Sequence, residues 1–524
     1  MSLPSMSLPK RQSLLRSTTL VAVMTFVSRM MGFVRDMVIA HLFGANAGMD
    51  AFIIAFKIPN FMRRLFAEGA FSQAFVPVLA EYQKTRSMDE VRLFLAKIAG
   101  SLSAVLSLVT VVGVVAAPAI VYVFAPGFSE ADGRSLLAAE MLRLTFPYLM
   151  LISLTAMAGA VLNTYGYFGV PAFTPVLLNI CLIVAAAIAS PHFSQPIVAL
   201  AWGVMLAGIA QLLFQVPFLY KHRLLMKPQL SFADSGVKRV LTLMIPALFG
   251  VSIAQLNLLV DSIFASLLQV GSVSWLFYTD RLTDFPLGVF GVAIATVILP
   301  HLSRRYAEKN NLSFSKALDW ALRLLLLVGI PSGLGLALFA SPLIASCFAY
   351  GHFNVVDVLQ TEKSLFMLAL GVPAFMMVKV LASAFYAGQN IKTPVKVGMF
   401  AMFINTGLCA LLIGPLAHAG LTLASTLAGY INCGMLAYLL ISRNIYNPQP
   451  KWGLFLLQLF VANLAMSIYL LCVVGDINYW LSQTVGYRLG ILLFHVVMAI
   501  VIYMVTLYLM GIRLTQFRGQ IKES

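Results

Sequence analysis

The residues of this chain that could do chemistry are charged groups set inside apolar runs. Arg29, Arg35 and Asp36 interrupt the first long apolar segment, Asp50, Lys57, Arg63, Arg64 and Glu68 the second, and Asp280, Arg281 and Asp284 a later one. An ionisable side chain at mid-bilayer costs about 2.5–3.5 kcal/mol on insertion scales, so it faces a cavity or a partner. Arg29 and Asp36 are seven residues apart, close to two helical turns, and share a face; Arg35 lies roughly 100–120° round the same helix. Asp50 and Lys57 repeat that spacing, and Pro59 then removes a backbone donor, so a kink is expected before Arg63. The i,i+3 spacing lets Arg281 and Asp284 pair. Cations converging from three helices would attract an anion, and a guanidinium grips phosphate oxygens two at a time while staying charged when desolvated. A lipid-linked diphosphate, its tail left in the bilayer, fits that chemistry. Asp36, Asp50, Asp280 and Asp284, with Lys57, are expected as charge partners in the cavity. Arg63, Arg64 and Glu68 also suit a helix end anchored at the cytoplasmic boundary.

The elements that must position these groups are membrane helices. Of 524 residues, 60% are hydrophobic and 10% charged, against roughly 25% charged in a soluble domain; the mean hydropathy is +0.91. Apolar stretches of the ~20 residues that cross a bilayer recur along the chain. The fold class expected is an all-α polytopic membrane protein of about 14 transmembrane helices. They fall near 17–41, 47–66, 92–125, 136–162, 170–190, 196–220, 238–268, 272–300, 317–347, 361–388, 394–414, 418–442, 453–474 and 486–511. The net charge of +16 reflects membrane orientation rather than nucleic-acid binding, because the basic residues concentrate in alternate short loops. Examples are Lys84, Arg86 and Arg92, then Lys221, Arg223 and Lys227, then Arg304, Arg305 and Lys309, with Arg134 the main exception. The positive-inside rule puts both termini in the cytoplasm and the 348–361 loop, with His352 and Asp357, on the other side.

Compared with itself at an offset of about 225 residues, the chain shows an ordered internal match. Val27-Ser28 leading to Asp36 corresponds to Val251-Ser252 leading to Asp261, and Pro147, Pro171 and Asn179 correspond to Pro373, Pro394 and Asn405. Six spans per repeat is an even number, so the halves should be related by a pseudo-twofold along the membrane normal, with a cavity between them. The expected organisation is a cytoplasmic N-terminal segment (1–16), an N-lobe (17–220), a cytoplasmic linker (221–237), a C-lobe (238–443), and two further helices with a cytoplasmic tail (444–524).

Other constellations are weaker. Asp261 with Asn257, and Asn405 in the matching half, suit either a coupling-cation site or interhelical hydrogen bonds. Arg143 and Lys379 are mid-helix cations without an evident partner. The five cysteines are isolated in apolar runs, which suits neither a disulfide framework nor a metal site. The histidines lack metal-ligand spacing, and Walker A, Ser-His-Asp and HExxH patterns are missing, so no metal or other cofactor is expected. The opening MSLPSMSLPK allows a second start at Met6, and the run after it looks like a first membrane helix, not a removable signal.

Several stretches resemble the MurJ (MviN) lipid II flippases of the multidrug/oligosaccharidyl-lipid/polysaccharide exporter superfamily. They are Ser28-Arg29-Met30-Met31-Gly32-Phe33-Val34-Arg35-Asp36, Asp50-Ala51-Phe52 with Phe56-Lys57-Ile58-Pro59-Asn60, and above all the segment from Arg63 to Pro77. Gly271–Trp275 running into Asp280-Arg281-Leu282, and Ile391-Lys392-Thr393-Pro394, extend the likeness into the second half. The resemblance implies two six-helix lobes plus two helices, and a bacterial inner-membrane transporter, not an enzyme. It would carry undecaprenyl-diphosphate-linked peptidoglycan precursor from the cytoplasmic to the periplasmic leaflet by alternating access. By these motifs the substrate-binding arginines are Arg29, Arg35, Arg63 and Arg281, and the family's acidic helix-2 position is Asp50. The family often has Glu where this chain has the shorter Asp284. The implied partners are lipid II, membrane lipid and the cell-wall synthesis machinery. Alternatives are a flippase for another polyprenyl-diphosphate-linked glycan, or a multidrug exporter of the same superfamily; the arginine excess disfavours a cationic drug.

Overall fold

The computed structural model describes residues 14–513, apart from the side chains of 14–18, 66–68, 246–247 and 249–258. The alternative start, Glu68 and Asn257 therefore lie outside the described residues. The described elements are helical, with no strand among them. Among the described residues, ten helical stretches are long and apolar enough to cross a membrane.

The first compact unit runs to Leu267. It contains α1 (Leu14–Phe43), α2 (Ala47–Arg63), α3 (Ser72–Thr85), α4 (Met88–Val115), α5 (Ala117–Phe124), α6 (Arg134–Thr145), α7 (Tyr148–Thr164), α8 (Gly169–Val184), α9 (Val198–Lys221) and α10 (Ser235–Ser266). Asn46 caps α2, its side chain accepting from the Met49 amide, and Asp234 caps α10 through the Gly236 and Val237 amides. The helix expected over 47–66 does not end there. It passes through a π-helical segment, Arg64–Phe71, and continues as α3 to Thr85. The charges that suggested a helix end instead mark a change of helical pitch just beyond Pro59. Phe71, Phe75 and Phe94 stack in the core where α3 meets α4.

The segment joining α9 to α10 is strapped along α4. The Gln229 amide donates to the Ala96 carbonyl, and Lys97 Nζ lies 2.6 Å from the Asp234 carboxylate. Gly100 admits the strap, since a Cβ there would fall 2.3 Å from the Gln229 carbonyl oxygen.

The second unit begins at Leu268. It contains α11 (Ser272–Pro286), α12 (Val292–Ala307), α13 (Asn311–Leu338), α14 (Ala340–Cys347), α15 (Val355–Ala369), α16 (Val372–Ala387), α17 (Lys392–Ser442), α18 (Trp452–Val473), α19 (Ile477–Ser482) and α20 (Val485–Leu509). A π-helical segment, Leu287–Gly291, follows Pro286 directly, as another, Ala185–Ala189, follows α8 in the first unit. Within α17 the break expected between residues 414 and 418 falls at Ala417, whose φ of 48° and ψ of −131° are not helical. The stretch expected as an open loop over 348–361 is in part helical. Asn354 and Asp357 form a reciprocal cap at the start of α15. Asp357 is buried and accepts a hydrogen bond from Trp275 Nε1.

Two buried fastenings tie the last helices to this unit. Asp319 of α13 accepts from the Tyr446 hydroxyl, the Gln449 amide and Trp452 Nε1, and pairs with Arg323 at 2.7 Å. Arg488 of α20 donates to the carbonyls of Ala345, Ala349, Leu481 and Gln483 and stacks over the Tyr350 ring.

Candidate functional site

In the first unit, the helical phase of α1 leaves Arg29 exposed and turns Arg35 and Asp36 inward. Arg35 is 7% and Asp36 1% exposed. The Arg35 guanidinium holds Asp36 Oδ1 through Nε at 2.9 Å and Nη2 at 2.6 Å, and donates from Nη1 to Asn179 Oδ1 at 3.0 Å. Asn179 in turn donates to the Ser28 carbonyl, which locks α8 against α1. Two of the five guanidinium donors remain for another acceptor.

Asp50 is fully buried near the start of α2 and pairs with Arg134 at 3.7 Å. Sequence reading had set Arg134 aside as a misplaced loop cation. It begins α6, reaches Asp132 at 2.8 Å and stacks over Phe128. Its loop position is explained by this buried partner, to which no sequence spacing points. Lys57 Nζ donates to Ser262 Oγ at 3.2 Å, joining α2 to α10.

Arg63, at the end of α2, donates from Nε to Asn60 Oδ1 at 2.9 Å. It also lines a cavity of about 640 Å³ walled chiefly by α7, α8 and α9. Polar residues at that wall include Asn163, Thr164, Thr174, Gln211 and Gln215. The two glutamines are one turn apart on α9, and sequence reading passed over them. Their signal was the i,i+4 pairing of amides inside an otherwise apolar helix.

In the second unit, Arg281 lies over the Phe277 ring, 4.7 Å from its centroid. Asp280 and Asp284, also one turn apart, are both exposed. Asp284 is near enough to Lys379 of α16 to interact with it electrostatically, without an ion pair between them. Arg143 is exposed on α6. Asn405 is buried and accepts from Ser425 Oγ at 3.3 Å. Asp261 belongs to α10 of the first unit and Asn405 to α17 of the second.

The structure thus joins Arg35 with Asp36 and Asn179, and Asp50 with Arg134. These are buried charges of the type that polar transport pathways use.

The family profile described as "Lipid II flippase MurJ" matches residues 39–498. A Haemophilus influenzae protein named "Probable lipid II flippase MurJ" is 43% identical over 503 residues, covering 94% of this chain and 98% of its own. A Burkholderia cenocepacia protein named "Lipid II flippase MurJ" is 39% identical over 517 residues, covering 97% and 100%. A solved structure described as "Lipid II flippase MurJ, inward closed conformation" superposes with a TM-score of 0.78 at 27% identity, covering 93% of this chain and 98% of that one. A multidrug resistance MATE family transporter in an inward-facing conformation shares the fold, with a TM-score of 0.67 at 15% identity over 81% of this chain and 98% of its own. Matched through most of its length in sequence and in fold, the chain belongs to the lipid II flippase MurJ family.

Proposed function

We propose that this chain is a lipid II flippase, a transporter and not an enzyme. It moves undecaprenyl-diphosphate-linked peptidoglycan precursor from the cytoplasmic to the periplasmic leaflet of a bacterial inner membrane by alternating access. The observation that carries the reading is near-full-length similarity, at up to 43% identity, to relatives named for that activity. Supporting it are the arginines inside membrane helices, which suit a diphosphate better than a cationic drug. In this reading Arg29, Arg35, Arg63 and Arg281 bind the diphosphate, and Asp36, Asp50, Lys57, Asp280 and Asp284 set their charge balance. Asp261 and Asn405 are kept as candidates for a coupling cation. The chain crosses the membrane fourteen times, as six plus six plus two helices, with both termini in the cytoplasm.

The decisive experiment is transfer of fluorescent lipid II across the bilayer of vesicles containing the purified chain. Transfer faster than in protein-free vesicles is expected; equal rates would reject the reading. Sidedness is tested with Lys227→Cys and His352→Cys, both at exposed positions. An impermeant thiol reagent applied to intact cells should label the second and spare the first, and labelling of both would overturn the orientation.

A further inference from the structure

The cavity behind Arg63 has a chemical polarity that its hydrogen bonds fix. The Thr174 hydroxyl donates to the Val170 carbonyl at 2.9 Å, so toward Gln215 it can only accept. Gln215 Nε2 donates to that hydroxyl at 3.0 Å, and Gln211 Nε2 donates to the Thr174 carbonyl at 3.1 Å. Both carboxamides are therefore held by their nitrogens at the cavity wall, and both oxygens are left without a donor. Each glutamine is 1% exposed. Neither Oε1 accepts a hydrogen bond from any described residue. An acceptor buried without a donor is costly to keep, and here two stand one turn apart on one helix face.

The lining decides what they can take. It contains no carboxylate and does contain Arg63, so a metal cation would meet a fixed positive charge with no counter-charge. The bare oxygens equally repel a phosphate. What fits is a neutral, donor-rich group whose neighbouring anionic part can reach the guanidinium. The volume of about 640 Å³ lies within the range of ligand pockets, roughly 300–1,000 Å³.

We infer that this cavity binds the hydrogen-bond-donating part of the substrate headgroup, its sugar hydroxyls and peptide N–H groups, with Gln211 and Gln215 as acceptors. The inference rests on the flippase reading and names the part of the substrate that this wall recognises. It makes α9 the element that distinguishes a glycopeptide headgroup from a bare diphosphate.

The test measures binding of two probes to the purified full-length chain: lipid II, and undecaprenyl diphosphate, which shares tail and diphosphate but lacks sugar and peptide. Wild type should bind lipid II more tightly. Gln211→Met and Gln215→Met should each weaken lipid II about fivefold, the worth of one neutral hydrogen bond, and the double variant about twentyfold. Undecaprenyl diphosphate should bind all variants equally. If the double variant does not fold, Gln211→Met, which forfeits a single bond to a backbone carbonyl, carries the test alone. Unchanged lipid II binding would overturn the inference and leave the oxygens to ordered water. So would equal weakening of both probes, or a sodium-dependent thermal shift of wild type that the double variant loses. Wild type that binds neither probe would instead defeat the flippase reading itself.

Discussion

Asp319 in the second unit and the Gln211–Gln215 pair in the first are both buried polar groups on apolar helices, yet they are finished differently. Asp319 is closed: hydroxyl, amide and indole donors and a guanidinium converge on it. The glutamines each have the nitrogen held by one hydrogen bond and the oxygen left without a donor. Low local dielectric strengthens a completed network and penalises an incomplete one. A completed network therefore fastens helices, as Asp319 does for α18, whereas an incomplete one is kept where something else completes it. Arg35 stands between the two, with three donors used and two remaining.

The sharpest test of this contrast is Arg35. Replacing it with Ala strands a buried carboxylate, and truncating one partner of a buried pair costs about 3–5 kcal/mol. Arg35→Ala should therefore lower thermal stability severely. The paired change Arg35→Gln with Asp36→Asn should recover most of that stability without recovering lipid II transfer. Recovery of transfer in the double variant would make Arg35 a fastening like Asp319, and remove it from the substrate site.

Asp319→Ala should cost about 2–3 kcal/mol, less than Arg35→Ala because Arg323 is 20% exposed and water can take over part of its solvation. Transfer per folded molecule should stay at the wild-type level. A transport defect in the folded fraction would show that the closed network also serves the cycle. A smaller effect is expected at the α4 N-terminus, where Ser87 and Glu90 cap each other. Ser87→Ala should cost about 1 kcal/mol, read as a lower melting temperature with unchanged transfer.

The smallest effect is pH-dependent. Partial burial raises the Asp234 carboxyl, but the hydrogen bond from Lys97 and the Val237 and Gly236 amides outweigh it, so the group titrates below its ordinary value. A depressed folded-state pKa means stabilisation that is present above about pH 4, the ordinary value for Asp, and lost as pH falls through the lower folded value. Asp234→Asn should therefore melt slightly below wild type at neutral pH, and the two curves should converge in acid. A gap that persists in acid would assign the effect to the cap geometry instead of the charge.

What was legible in the sequence follows how far apart the partners lie along the chain. Asp36 was expected as a charge partner, but on a face shared with Arg29, whereas its partner is the adjacent Arg35. Asn179, 144 residues away, had been noticed as part of the repeat but not as a ligand of Arg35. Asp50 was expected among charge partners, but Arg134 looked like a loop cation, because no periodicity links a helix start to a residue 84 positions later. The membrane class was legible because backbone groups in lipid must be satisfied within a helix, which imposes long apolar runs. Helix ends were less so: Arg63, Arg64 and Glu68 have the composition of a boundary, and only the hydrogen-bond ladder shows that the helix changes pitch and continues. Gln211 and Gln215 were missed because their chemistry lies in which atoms are already used.

Two of the three π-helical segments among the described residues lie just downstream of a proline, Arg64–Phe71 after Pro59 and Leu287–Gly291 after Pro286, while the third, Ala185–Ala189, continues α8. A π turn carries one residue more than the α ladder around it, so each is a dislocation within an otherwise regular rod. Moving such a dislocation one position along the rod would break one backbone hydrogen bond of the ladder and make its neighbour. Near the fault it re-aims side chains by about 100°, the angular step of one α-helical residue. Arg63 and Arg64 stand at the edge of the first dislocation, and Arg281 one and a half turns before the second. Each π segment is thus the place in its helix where the aim of the flanking side chains is set.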